Sequence, residues 1–200
     1  MKKISFILLL VIAFFSSCEN KTEKKTENPQ GQNVKPPQPV KTEIDILADS
    51  VNAAWKAMIE SDDQKFRDIK RLLDEISYTK DYDAVMLEEI LKEMEYVKSQ
   101  RYDETLNLAA LDRYDQLTDE LIKKVYRLKA KSKEIKQHPL ADELVKDINY
   151  ANSQEITVSL RMRYDEWAKR YNDYLKTNQD KLKEMGDKYA SFKERPRFLN

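Results

Sequence analysis

Paired acidic residues, Asp62-Asp63, Glu88-Glu89 and Asp119-Glu120, are the first candidates for chemistry in this 200-residue sequence. Inward carboxylates hold di-iron centres in helical proteins when two helices also bring a Glu-x-x-His pair. No Glu-x-x-His occurs here, and His138 is the one histidine. With 36 acidic residues against 36 Lys and Arg, such pairs are expected as solvated helix faces, so no metal ligand and no cofactor is expected. Serine catalysis has only His138 as an imidazole base, and no Gly-x-Ser-x-Gly turn. The two glycines, Gly31 and Gly186, stand too far apart for a dinucleotide-binding turn or a P-loop. One His cannot build a two-histidine zinc site, and one Cys cannot close an intramolecular disulfide. Zero net charge gives no general attraction to nucleic acid, and the Lys-rich stretch 129–136 alternates with nearby acids as a helix surface does. No catalytic residue is expected, and the sequence does not read as an enzyme.

The single thiol has a clearer assignment. Lys2 and Lys3 precede an apolar stretch over residues 4–15, followed by Ser16-Ser17-Cys18. A basic start, a short apolar run and small residues are the layout of an export signal. Twelve helical residues rise only ~18 Å, short of the ~30 Å hydrocarbon core. Phe15-Ser16-Ser17-Cys18 resembles the lipobox of bacterial lipoproteins, in which the thiol is acylated and the chain is cut before it. Residues 1–17 are thus expected to be a lipoprotein signal peptide, and residues 18–42 a disordered linker anchored through acylated Cys18. The linker holds four of the six prolines and almost no aliphatic residues, too little to bury. The expected location is a bacterial cell envelope, the outer membrane in preference to the inner.

The rest, residues 43–200, must position any further site. Ile44, Leu47, Val51, Trp55, Met58, Phe66, Ile69, Leu72 and Ile76 recur at helical steps, and only Asp62 interrupts the stripe. Residues 77–81 break it, with Thr79 or Asp81 able to cap a second helix carrying Ile90, Met94 and Val97. Asn107 suits the cap of a third, whose stripe runs from Leu111 through Tyr114, Thr118 and Leu121 to Ile135. Pro139 suits the first turn of a fourth. Ile156, Val158, Leu160 and Met162 alternate as a strand would, but no partner strand exists and helical spacing resumes at Tyr164. That tract is expected to be helix buried on more than one side. The expected fold is all-α: an elongated antiparallel four-helix bundle after a signal peptide and tether.

Two constellations involve the fourth helix. Arg-Tyr-Asp recurs at 101–103, 113–115 and 163–165, with Arg170-Tyr171-Asn172 as a variant. The plain reading puts each tyrosine at the edge of the core with its charged neighbours outside. The sharper reading makes Tyr164, Trp167, Tyr171 and Tyr174 an aromatic interaction strip. Arg161 and Asn172 are either buried and paired with Gln154 or Glu155, a polar network fixing register, or parts of surface ion pairs.

Several of these residues resemble the LemA family. Val51-Asn52-Ala53-Ala54-Trp55 and Arg67-Asp68-Ile69 are similar to its first helix, and Arg161, Tyr164-Asp165 and Tyr171-Asn172 to its Arg, Tyr-Asn and Tyr-Asn. His138-Pro139-Leu140 resembles its proline break, and Phe192 through Pro196 to Phe198 its ending. A lipobox stands where that family has an anchor helix, Gln154 stands for Glu, and Asp165 for Asn. The resemblance implies a membrane-associated antiparallel helical bundle with no established biochemical activity, and leaves the function open. The resulting expectation is a non-enzymatic, lipid-anchored envelope protein whose bundle contacts other envelope proteins as a scaffold. The alternative is a binder or sensor of a small ligand or envelope polymer, using a pocket between helices.

Overall fold

The computed structural model describes residues 41–198; the expected signal peptide, Cys18 and the expected linker up to residue 40 lie outside the described residues. Among the described residues the regular structure is entirely helical: α1 (Glu43–Ser77), α2 (Ala84–Ser99), α3 (Leu108–Lys131), α4 (Pro139–Ala151), α5 (Gln154–Thr177), α6 (Gln179–Glu184) and α7 (Asp187–Ala190). A 3-10 turn, Glu134–Gln137, links α3 to α4.

α1, α2, α3 and α5 each start on a side-chain cap, and α4 on a proline. Thr42 and Asp45 form a reciprocal capping box that satisfies the first free N–H groups of α1. Asn107 caps α3 by accepting from the N–H groups of Ala109 and Ala110. Pro139 opens α4 where its missing N–H costs nothing. The cap of α2 is Asp83, which accepts from the Met86 N–H at 3.0 Å, in place of the expected Thr79 or Asp81. Those two residues are occupied elsewhere. The Ser132 hydroxyl bonds Asp81 at 2.5 Å and lies 3.1 Å from the Thr79 hydroxyl, tying the α1–α2 turn to the end of α3.

The fourth helix is two helices. The chain turns at Asn152, and Ser153 caps α5 by accepting from the Ile156 N–H at 3.3 Å. The alternating tract is helical, but it is not buried on more than one side. Residues two apart on a helix are 200° apart, so the tract has two apolar edges. Ile156 and Leu160 are half-buried, whereas Val158 and Met162 stand 42 % and 55 % exposed.

α1 packs along α4 and α5 and also touches α2 and α3, which pair with each other. Arg101 just beyond α2 reaches back to Asp63 at 2.6 Å, and Lys188 of α7 reaches Asp45 at 2.7 Å. These links set the directions: α2 returns along α1, and α4–α5 return again after α3. Ile69, Leu72, Leu121, Leu144 and Ala168 lie fully buried at the shared centre.

Residues 191–198 form no regular element but lie against α5 as a strap. The Asn172 amide donates to the Arg195 carbonyl and accepts from its N–H, both at 2.8 Å. Asp165 accepts from the Phe198 N–H at 2.8 Å, and the Tyr164 hydroxyl donates to the Pro196 carbonyl at 3.1 Å.

Candidate functional site

The apolar packing fails at one level, and a cleft opens there. On α1 the stripe is interrupted by Asp62, with Lys65 three residues on and so on the same face. On α3 the corresponding position is Thr118. The first two and a half turns of α5 bury no side chain, because Thr157 and Arg161 face inward where an apolar residue would close the gap. The result is a cleft of about 350 Å³ between α1, α3 and the α4–α5 turn. That is the small end of the ~300–1,000 Å³ typical of ligand sites.

Its floor is charged. Lys65, 5 % exposed, donates from Nζ to Asp62 Oδ1 at 3.1 Å. Asp62 is itself 8 % exposed, and its carboxylate lies beside the buried Tyr114 hydroxyl. Arg161 closes the other wall with two parallel bonds to Asp115, Nη1 to Oδ2 and Nη2 to Oδ1, both 2.8 Å. Bidentate geometry of this kind is the strong form of a charged pair. The guanidinium carbon also lies 5.9 Å from the Tyr102 ring centre and 5.7 Å from that of Phe198. Burial works against the Arg161 cation, but the hydrogen bonds and charge of Asp115, with Tyr102, together outweigh it and raise its pKa. At the rim, Asp119 accepts a bond from the Asn152 amide at 2.8 Å.

Behind the cleft the Arg-Tyr-Asp repeats converge. Tyr102, Tyr114, Tyr164 and Tyr171 are all buried, inside the core and not at its edge. Tyr102 meets Trp55, Tyr114 and Phe198 edge-on, with centroids 5.5–5.9 Å apart, and Tyr164 meets Trp55 and Phe198 at 5.5 Å. Edge-to-face contacts at these separations are favourable. Burial, then the charge of Asp62, pushes the Tyr102 phenol up to about 12. The same causes raise Tyr114, whose buried hydroxyl lies beside the Asp62 carboxylate, well above its ordinary value.

The residues singled out from the sequence are thus divided. Of the aromatic strip, Tyr164 and Tyr171 are core, while Trp167 and Tyr174 are half-buried against it. Arg161 and Asn172 do belong to polar networks, but to separate ones. Arg161 pairs with Asp115 and Asn172 with the strap, and neither bonds Gln154 or Glu155, which are exposed. Gln154 lines the cleft without bonding Arg161. Lys65, Asp115 and Tyr102 were not singled out as site residues. The available signal was Asp62 itself, a polar residue in phase with the core and followed at i+3 by a cation.

Among the described residues, no helix is long and apolar enough to cross a membrane, and no cluster of His, Cys, Asp and Glu could hold a metal ion. Comparison with protein-family models, curated proteins and solved structures finds no match to the chain.

Proposed function

We propose that the chain is a non-enzymatic, lipid-anchored envelope protein whose helical domain binds a small polar ligand in the Asp62–Arg161 cleft. The observation that carries this reading is the layer of charge along a cleft, the buried Asp62–Lys65 pair and the bidentate Arg161–Asp115 pair. Burying paired charges gains little or nothing over well-packed apolar residues, so such a layer is a poor way to build a core and a usual way to build a site. Acylated Cys18 would place the domain beyond a tether at a membrane, the outer one in preference to the inner.

The wider fold reading is an elongated antiparallel four-helix bundle with the broken α4–α5 pair as its fourth arm. Its support is that α4 and α5 both pack on α1 while α2 and α3 pair. Kinship with the LemA family has a similar physical support. The α5 residues Tyr164, Asp165 and Asn172, which resemble that family, are the ones that hold Arg195, Pro196 and Phe198, which resemble its ending.

Native purification followed by denaturation tests the cleft. A small molecule released from the wild-type protein, and absent from a Thr157→Trp variant that fills the cleft, supports it. Equal release from both, or none from either, overturns it. For the tether, mass spectrometry of the mature protein should find an acylated Cys18 as first residue; an intact Met1 overturns that part.

A second reading, a scaffold contacting envelope proteins, rests on α5. Val158 and Met162 are exposed one turn apart on its outer face, flanked by Glu155, Arg163 and Glu166. Crosslinking in intact cells from a photoreactive residue at 162 would give a reproducible protein adduct if this face is an interface.

A further inference from the structure

We propose that residues 187–198, α7 and the strap, exchange between two copies of this chain, each strap docking on the α5 groove of the other copy. This does not rest on the reading of the cleft. The groove binds backbone. Asn172 satisfies both the N–H and the carbonyl of Arg195 at 2.8 Å, and Asp165 accepts from the Phe198 N–H at 2.8 Å. Those two groove residues stand two helical turns apart, ~10.5 Å. The two strap residues they hold are three positions apart, ~10 Å of extended chain. The two ladders are in step, so α5 holds the segment as an extended peptide running antiparallel to it. In peptide recognition, main-chain bonds of this kind give affinity and side-chain contacts select the occupant. The selecting contacts here are Phe198 against Tyr102 and Tyr164, with centroids 5.9 and 5.5 Å apart, and Arg195 against Glu104 at 2.8 Å.

The occupant is joined to the domain as a separable piece. Of residues 187–198 only Phe198 is buried, and beyond Phe192 the strap makes no backbone–backbone bond among the described residues. Gly186, just before α7, has φ +110° and nothing within 4 Å of where a Cβ would stand. It is a turn in open space, where the chain can swing without meeting a neighbour. α7 moves with the strap, because Phe192 meets the Tyr189 ring edge-on at 5.7 Å. It docks through Lys188 and Tyr189 on Asp45, at 2.7 and 3.1 Å. A second copy offers every one of these contacts in the register that the strap already fits. Reciprocal exchange closes on itself as a two-fold dimer and leaves neither groove empty. Because identical contacts are traded, the balance is set by the hinge and by concentration. The strap in its own chain has an effective concentration of roughly 1 mM, which crowded copies can match.

Energy transfer between donor- and acceptor-labelled full chains tests this, mixed in excess detergent at up to about 1 mM protein. Transfer should grow with concentration. A synthetic peptide of residues 187–198 should abolish it, because the peptide fills the groove that the second copy needs. The same peptide carrying Phe198→Ala should require at least tenfold higher concentration for the same effect. Gly186→Ala meets no atom but holds a φ of +110° under strain, so it should raise the transfer at least threefold at equal concentration. Transfer that the peptide leaves in place would show another face joining the copies and overturns the inference. So does the absence of transfer at every concentration in both the wild type and Gly186→Ala, and so does equal displacement by the two peptides.

Discussion

Lys65 keeps an ammonium almost out of water on the strength of one carboxylate oxygen, and that arrangement sets the cost of changing either partner. Lys65→Met alone leaves Asp62 charged, buried and unpaired, and should destabilise the domain by about 3 kcal/mol. The double variant Asp62→Leu with Lys65→Met restores an apolar stripe and should recover most of that loss. Urea denaturation checks both, and a double variant no more stable than the single would mean that the pair itself holds the helices in register. Asp62 was legible as the one interruption of the first stripe. Lys65 was not, since among 36 cations a lysine three residues on reads as solvated, and its burial is decided by where α3 and α5 lie.

At the scale of elements, local chemistry was readable where one residue type has one role. Asn107 and Pro139 open α3 and α4 as their backbone chemistry requires. It failed where several candidates compete. Asp81 and Asp83 are equally good caps, and the choice went to Asp83 because Ser132 and the Lys133 N–H, far along the chain, engage Asp81. No proline or glycine marks the break at Asn152-Ser153, so the fourth stripe reads as one helix through it. Two element-scale predictions follow from bonds that cross between elements. Asn172→Ala removes both bonds to Arg195, so amide exchange at Arg195 and Phe198 should quicken at least tenfold while the α1 core amides hold; uniform quickening would show that the strap does not open by itself. Asp45 has its pKa held well below the usual carboxylate range by Lys188 first and then by Thr42. A depressed folded pKa gives stability that is present above the unfolded value, ~3.9, and lost as pH falls below it. Acid should therefore release α7 from the start of α1, and in Asp45→Asn the tyrosine fluorescence change that reports release should no longer depend on pH below about 4.

Over the whole molecule, α1, the α2–α3 connection, α3, α5 and the strap meet in one aromatic cluster, with Trp55, Tyr102, Tyr114, Tyr164 and Phe198 each from a different one. The repeated Arg-Tyr-Asp was visible in the sequence, but nothing in its spacing tells that three of its rings converge. That depends on α2 and α5 both running back along α1. The convergence has a thermodynamic signature. Burial pushes Tyr102 and Tyr164 up to about 12 and Tyr114 well above its ordinary value, so each must stay neutral in the folded state. For an acid whose folded pKa is raised, the stabilisation is complete below the unfolded value, ~10, and is lost as pH rises past it. Because the rings tie α1, α3, α5 and the strap together, ionisation and helix loss should occur as one step above pH ~10, read by phenolate absorbance and circular dichroism together. Tyr114→Phe isolates the cause. Its hydroxyl lies beside the Asp62 carboxylate, so Phe keeps the packing and removes one group that must ionise. The alkaline midpoint should move upward, with stability at neutral pH lowered by no more than one hydrogen bond, about 1 kcal/mol. A midpoint that stays put, or phenolate absorbance that completes before any helix is lost, would mean that the cluster does not govern the cooperativity of the fold.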